Sequence, residues 1–317
     1  MTAQLDELAR YPDGGGFELR NALARHHGVA AGMVTLGNGS NDVLDLIART
    51  FLAPGAEAIF SEHAFAVYPI CTQAVGATAR VALAHDGSRG PRFGHDLAAM
   101  RDLVNDRTRV VFIANPNNPT GTWVDRDELQ RFIDSLPCHV MVVVDEAYTE
   151  YVGDGAYPDA SQWLDAYPNL IVTRTFSKAY GLAALRVGYG LSHPDTAELL
   201  NRVRQPFNVN ALAMAAAQAA LEDREHIERS AAANHDGMAQ LVAGFERLGL
   251  DYIPSVGNFV CVDVGGPAGE VDAALLREGV IVRPVAGYGM PQHLRVTIGL
   301  EAENSRFLKA LAKVLGR

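Results

Sequence analysis

Lysine is almost missing from this chain, with three residues in 317 against 24 arginines. Two of the three, Lys309 and Lys313, lie in the last nine residues, and only Lys178 is central. Cysteine is just as sparse. Cys71, Cys138 and Cys261 are far apart and have no metal-ligand spacing, so buried or idle thiols in a reducing compartment are expected. The ten histidines lack zinc-type spacing too; His26 and His27 adjoin, but on a helix they point in different directions. Long apolar runs are absent, and segments such as Val110-Val111-Phe112-Ile113-Ala114 are too short to span a bilayer. Positive charge is in deficit. A formal net charge of −10 and the lack of any basic run argue against nucleic acid or an anionic membrane surface as partner. The start, Met1-Thr2-Ala3-Gln4-Leu5-Asp6-Glu7, is acidic where a signal peptide would be basic and then apolar, so a cytoplasmic location is the expectation.

What is present fits a packed globular protein, 48% hydrophobic and 20% charged, long enough for two lobes. From about residue 30 to 190, short apolar runs alternate with helical patterns. Strands are expected at 58–60, 79–83, 109–114, 140–144, 170–173 and 186–189, and helices at 41–51 and 126–135, the second with Asp125 and Glu128 spaced as a capping box. Continuous apolar strands between helices predict an α/β lobe with a mostly parallel sheet covered on both faces. Ligands usually bind at the carboxyl ends of such strands. After Pro206 the pattern changes to helices at 210–221 and 226–248, strands at 259–262, 280–283 and 294–298, and a last helix at 302–315. The expected division is a large domain over 1–206 and a smaller α+β C-terminal lobe over 207–317.

Lys178 sits in Thr175-Phe176-Ser177-Lys178-Ala179-Tyr180-Gly181, between two strand candidates. Arginine stays protonated and cannot form an imine, whereas lysine can lose its proton and attack a carbonyl carbon. A central lysine in an arginine-rich chain therefore suggests covalent chemistry, against the plainer reading of a chance surface residue. Four further features fall at strand ends. Gly37-Asn38-Gly39-Ser40-Asn41-Asp42 is a glycine-rich turn opening a helix, either a cap or a phosphate site. Asn115-Pro116-Asn117-Asn118-Pro119-Thr120-Gly121 is either a structural turn or the holder of a hydrogen-bonding Asn. Asp145, in Val144-Asp145-Glu146-Ala147-Tyr148, is either a cap or a charge aimed at a cation. Arg186 lies eight residues after the lysine and suits bidentate phosphate binding.

Together these segments resemble the site for pyridoxal 5′-phosphate in fold-type-I aminotransferases. Within them the chain is most similar to the histidinol-phosphate aminotransferase family. The likeness runs from Arg10-Tyr11-Pro12-Asp13-Gly14 to Leu294-Arg295-Val296-Thr297-Ile298-Gly299. It implies that Lys178 holds the cofactor as an imine and then serves as base and acid in the 1,3-proton shift. It implies that Asp145 pairs with the pyridine nitrogen and keeps it protonated, and that Asn118 and Tyr148 bond the phenolic oxygen. The cofactor phosphate would rest on Gly39, Ser40, Asn41, Thr175, Ser177 and Arg186. Phe65 would stack on the ring, with Tyr68 second, although either could be core. Tyr11 would reach the phosphate of a neighbouring subunit, which implies a homodimer with composite sites. Arg295 would clamp the substrate carboxylate, and Arg283 is a further candidate for an acidic group. The segment Phe207-Asn208-Val209-Asn210 also fits the family pattern near the substrate pocket.

The implied reaction is transamination between a small-molecule amino donor and a 2-oxo acid, with histidinol phosphate and 2-oxoglutarate the family's usual pair in histidine biosynthesis. An aromatic aminotransferase and a threonine-phosphate decarboxylase-like lyase use very similar motifs. Two departures stand out. The turn reads Ser40-Asn41-Asp42 where Ser-Asp-Glu is more usual, which matters little to backbone amides. Family members also carry a few dozen residues, with an Asn-Glu-Asn-Pro-like stretch, ahead of the segment that begins at Arg10. Without that stretch, a protein that binds cofactor but does not turn over is the alternative from another class.

Overall fold

Seven short segments, nearly all buried, form one sheet in the order β1-β7-β6-β5-β4-β2-β3. They are β1 Val34–Gly37, β2 Glu57–Ser61, β3 Thr78–Ala82, β4 Thr108–Ala114, β5 Met141–Asp145, β6 Leu170–Thr175 and β7 Gly188–Ser192. The structure is a computed structural model that describes residues 2–153 and 155–317. All pairings from β6 across to β3 are parallel, and β7 alone runs the other way, antiparallel to both β6 and β1. The expected α/β lobe with a mostly parallel sheet is therefore present. The strand β1 carries no long apolar run and had no sequence signal of its own. Arg186 precedes β7 rather than belonging to it, because its backbone turns into the left-handed region (φ 57°).

Alternation along each strand sends side chains to two cores. Val110, Phe112, Ala114, Val143 and Ile171 face a layer formed by α2 (Ser40–Phe51) and α3 (Val67–Ala74). Val111, Ile113, Val142, Val144, Val172 and Tyr189 face the opposite layer. That layer includes α1 (Phe17–His27), α4 (Leu97–Asp102), α5 (Arg126–Asp134) and α7 (Ala211–Glu222), and α6 (Pro194–Val203) follows β7. Fully burying one such Val, Ile or Leu is worth roughly 1.5–3 kcal/mol, which is why uninterrupted valine runs hold the central strands. At the start of α5 the Asp125 side chain accepts from the Glu128 N–H at 2.8 Å, as the cap spacing predicts.

A second sheet, in the order β10-β11-β9-β8, is antiparallel throughout. Its strands are β8 Tyr252–Ile253, β9 Phe259–Asp263, β10 Arg283–Pro284 and β11 His293–Thr297, and α8 (Arg224–Arg247), α9 (Ala268–Arg277) and α10 (Glu301–Leu315) pack around it. The strand expected at 280–283 shrinks to Arg283–Pro284: Gly279 turns at φ 73° and Ile281 is left 86% exposed, so the apolar run is not drawn into the sheet. Ala213, Met214, Ala217 and Leu221 of α7 belong to the core of the large sheet, although α7 follows residue 206. Among the described residues no helix is long and apolar enough to cross a membrane.

One contact on the α1 face has a measurable consequence. His27 Nε2 and the Tyr189 hydroxyl are hydrogen-bonded at 2.8 Å. Burial, reinforced by the charges of Arg174 and His26, holds the His27 imidazole down to about 3 from its ordinary 6.5. Between those values the unfolded chain binds a proton that the folded one excludes, so this contribution to stability is whole above pH 6.5 and is lost as pH falls toward 3. The melting temperature should therefore drop as pH is lowered from about 6.5 to about 4, and a His27→Gln variant should drop less. Parallel curves for the two proteins would remove His27 from this role.

Candidate active site

The carboxyl ends of β1, β4, β5 and β6 and the start of β7 meet along one edge of the large sheet. Ser40, Asn41, Phe65, Asn118, Asp145, Tyr148, Thr175, Ser177, Lys178 and Arg186 line a single pocket there. Ten of the residues singled out from sequence are thus brought together.

At one end lies the turn between β1 and α2. Gly39 has φ 82°, and a Cβ at that position would run into the Arg186 guanidinium. A Cβ at Gly188 would overlap the Ser40 nitrogen and the Gly39 carbonyl carbon. Two glycines therefore let the N-terminus of α2 lie directly against β7 and Arg186. Arg186 Nη1 donates to Ser177 Oγ at 3.2 Å, and Thr175 Oγ1 accepts from the Ser177 N–H at 3.1 Å. Free helix amides, two hydroxyls and a guanidinium converge, which is the donor set of an anion site.

Asp145, at the end of β5, is buried. Its Oδ2 accepts from the Tyr68 hydroxyl and its Oδ1 from Thr173 Oγ1, both at 3.0 Å. Burial pushes its carboxyl above the ordinary range, against the hydrogen bonds of Tyr68 and Thr173 and the charge of Lys178. A buried carboxylate of this kind favours a cationic partner. Tyr68, the second candidate for stacking, is a core residue instead: it is fully buried and stacked on Phe112 at 4.8 Å, with its hydroxyl beneath Asp145. Phe65 remains at the pocket wall, edge-on to Tyr68.

Lys178 Nζ lies 5.1 Å from the centre of the Tyr148 ring. Burial lowers its pKa, as do the charges of Arg295 and Arg186, against the pull of Asp145. The amine is thereby moved toward the neutral, nucleophilic form. Burial pushes the Tyr148 hydroxyl up, so it is a hydrogen-bond donor at neutral pH. Arg295, on β11, donates to Asn118 Oδ1, and its guanidinium sits over the Phe259 ring at 5.1 Å. Phe259 also meets the Tyr148 ring edge-on at 5.2 Å. Nothing in the sequence marked Phe259 beyond its place in a strand.

Tyr11 and Arg283 lie outside this pocket. Tyr11 is 83% exposed and stacks on Phe207 at 4.8 Å. Arg283 is exposed and pairs across the β10–β11 ladder with Arg295. Sequence reasoning also missed a charged group on the far face of the sheet. There Arg174 donates through Nε and Nη2 to Glu146 Oε2 at 2.9 and 2.7 Å, and through Nη2 to Asp159 Oδ1 at 2.6 Å. The signal was available, since Glu146 and Arg174 each adjoin a pocket residue and must point to the opposite face.

Residues 2–311 match the family model described as aminotransferase class I and II. The chain belongs to that family. It is 64% identical over 314 residues to a histidinol-phosphate aminotransferase 2 of Pseudomonas fluorescens, covering 99% of this chain and 83% of the relative. It is 61% identical over 315 residues to the protein of the same name from Pseudomonas aeruginosa, with 99% and 84% covered. Its fold matches that of histidinol-phosphate aminotransferase from Sinorhizobium meliloti, solved in complex with pyridoxal-5′-phosphate, with a TM-score of 0.92 and 29% identity over 99% of this chain and 85% of that one. As a member of the family this chain is an aminotransferase that uses pyridoxal phosphate. Its pocket fits that group. The Gly39–Gly188 cradle, which a Cβ would fill, adjoins donors for a phosphate, while the buried Asp145 carboxylate suits a ring nitrogen and Lys178 an aldehyde carbon.

Proposed function

We propose that this aminotransferase exchanges an amino group between histidinol phosphate and 2-oxoglutarate, as a step in histidine biosynthesis. The observation that carries the reading is the near full-length identity to the two Pseudomonas relatives of that name. The pocket supports it with a convergent set of anion donors, and a second arginine, Arg295, donates to Asn118 of its lining.

When bound, pyridoxal phosphate supplies an electron-poor ring that accepts the electron pair released at the substrate's α-carbon. Asp145 holds a proton on the ring nitrogen. Asn118, whose Oδ1 is taken by Arg295, keeps its Nδ2 free for the phenolic oxygen, and Tyr148 donates there as well. Gly39, Ser40 and Asn41 amides, the Thr175 and Ser177 hydroxyls and Arg186 hold the phosphate. Lys178, which would hold the cofactor's aldehyde carbon, would also supply at Nζ the base that takes the proton from the substrate's α-carbon and the acid that returns it to complete the 1,3-proton shift. Phe65 covers the ring. Arg295 holds the anionic end of each substrate, with Arg283 a second cation on the same ladder.

The working unit is a homodimer in the cytoplasm. Tyr11, 83% exposed on its own subunit, would complete the neighbour's phosphate site, and its exposure supports that reading.

The test is an absorbance titration of the purified holoenzyme. Histidinol phosphate should bleach the visible cofactor band, and 2-oxoglutarate should restore it. Bleaching by phenylalanine but not by histidinol phosphate would transfer the assignment to aromatic substrates. Release of carbon dioxide from threonine phosphate without amino exchange would transfer it to a lyase.

A further inference from the structure

The turn that ends β1 is fastened from behind by a line of side chains outside the pocket. Asp42 Oδ2 accepts from the Asn38 N–H at 2.8 Å, closing the turn on itself. The same oxygen accepts from Asn208 Nδ2 at 2.7 Å, and that amide also donates to the Leu36 carbonyl of β1 at 3.1 Å. Asn208 Oδ1 in turn accepts from Arg204 Nη1 at 2.7 Å, and Arg204 Nη2 donates to the Gly14 carbonyl at 2.9 Å. Every hydrogen-bonding direction of the Asn208 carboxamide except one acceptor lone pair is therefore committed. Its fixed orientation spans both ends of the turn, Leu36 before it and Asp42 after it.

Phe207, the residue before Asn208, has φ 59°, in the left-handed region that a bulky residue rarely adopts. It sends its ring against Tyr11 and Gly14, while Asn208 faces the turn. A strained junction that persists is over-determined by its surroundings. Here it joins the Tyr11 segment to the turn through two adjacent side chains.

We propose that Asn208, oriented by Arg204, is the positioning residue of the phosphate turn, setting the direction of the Gly39, Ser40 and Asn41 amides through Asp42. The proposal rests on the reading of that turn as the seat of the cofactor phosphate. Asp42 is an anion close to where a second anion binds, an arrangement that opposes binding on charge alone. Its value is as an acceptor: one oxygen receives both the turn's own amide and Asn208.

The test compares equilibrium binding of pyridoxal 5′-phosphate and of pyridoxal, which lacks the phosphate, to the full-length apoprotein. The wild type should bind the phosphorylated form far more tightly; equal affinities would overturn the phosphate reading of the turn itself. Asn208→Ala should weaken pyridoxal phosphate about tenfold, the effect of losing roughly one charge-assisted hydrogen bond, and leave pyridoxal unchanged. Asp42→Leu should do the same. Asp42→Asn, whose single carboxamide oxygen can accept both bonds, should keep the wild-type preference. Equal weakening of both ligands, no weakening of either, or failure of Asp42→Asn to retain the preference would each overturn the proposal. The Asp42 pair carries the test if Asn208→Ala does not fold.

Discussion

Lys178→Ala should lower transamination by about a thousandfold or more, because on the proposed assignment it removes both the group that would hold the cofactor and the base that would move the α-proton. The variant should still fold and still bind pyridoxal phosphate without a covalent link, since the phosphate donors and Asp145 come from other residues. Lys178→Arg is the sharper comparison. Arginine preserves charge and most of the length, but it neither forms an imine nor gives up its proton near neutral pH. It should be as inactive as alanine. The native amine is lowered by burial and by the neighbouring Arg295 and Arg186, so it stands closer to neutral than an exposed lysine would. Stopped-flow absorbance with substrate in excess checks the prediction, and wild-type bleaching by Lys178→Arg would remove Lys178 from catalysis.

The second large effect concerns stability. Arg174 forks onto Glu146 on the far face of the sheet, and both side chains are buried. Burial pushes the Glu146 carboxyl up against the pull of Arg174. Removing the arginine alone leaves a carboxylate without a partner in a dry place, so Arg174→Met should cost about 3–5 kcal/mol. Glu146 Oε1 also accepts from the Ala160 N–H at 2.9 Å, which any replacement has to respect. The pair Glu146→Gln with Arg174→Met keeps that acceptor and removes both charges, and it should regain half or more of the loss. Urea unfolding of both variants measures this, and equal losses would mean that the unpaired charge is not the source. Asp159, the second partner, is part-exposed and can turn to water.

The site was legible where chemistry restricts residue choice. A lone central lysine, a glycine turn opening a helix and an acid closing a valine strand each exclude most alternatives, and the structure lines one pocket with Lys178, Ser40, Asn41 and Asp145. The α/β pattern was legible because buried parallel strands are continuous and apolar. What escaped was relational. Tyr68 looks the same in sequence whether it stacks on a ligand or supports Asp145 from the core, and only its neighbour Phe112 decides. Asn208 lies far along the chain from Asp42, so no local spacing could pair them. The strand β1 escapes sequence because four residues carry too little periodicity, and the 280–283 run is longer in sequence than the strand it forms because apolar character alone does not show whether a partner strand is in reach.

Sheet order also dictates when the site can exist during synthesis. Val34 to Gly37 pair with Leu191 to Gly188, so β1 has its sheet neighbour only after β7 has been made. At about 5–20 residues per second the intervening stretch takes roughly eight to thirty seconds to emerge. The glycine turn after β1 is thus among the first parts of the pocket to leave the ribosome, yet it cannot be seated in the sheet until β7 follows it. A chain interrupted before residue 188 holds its glycine turn with neither β7 nor Gly188 to dock against.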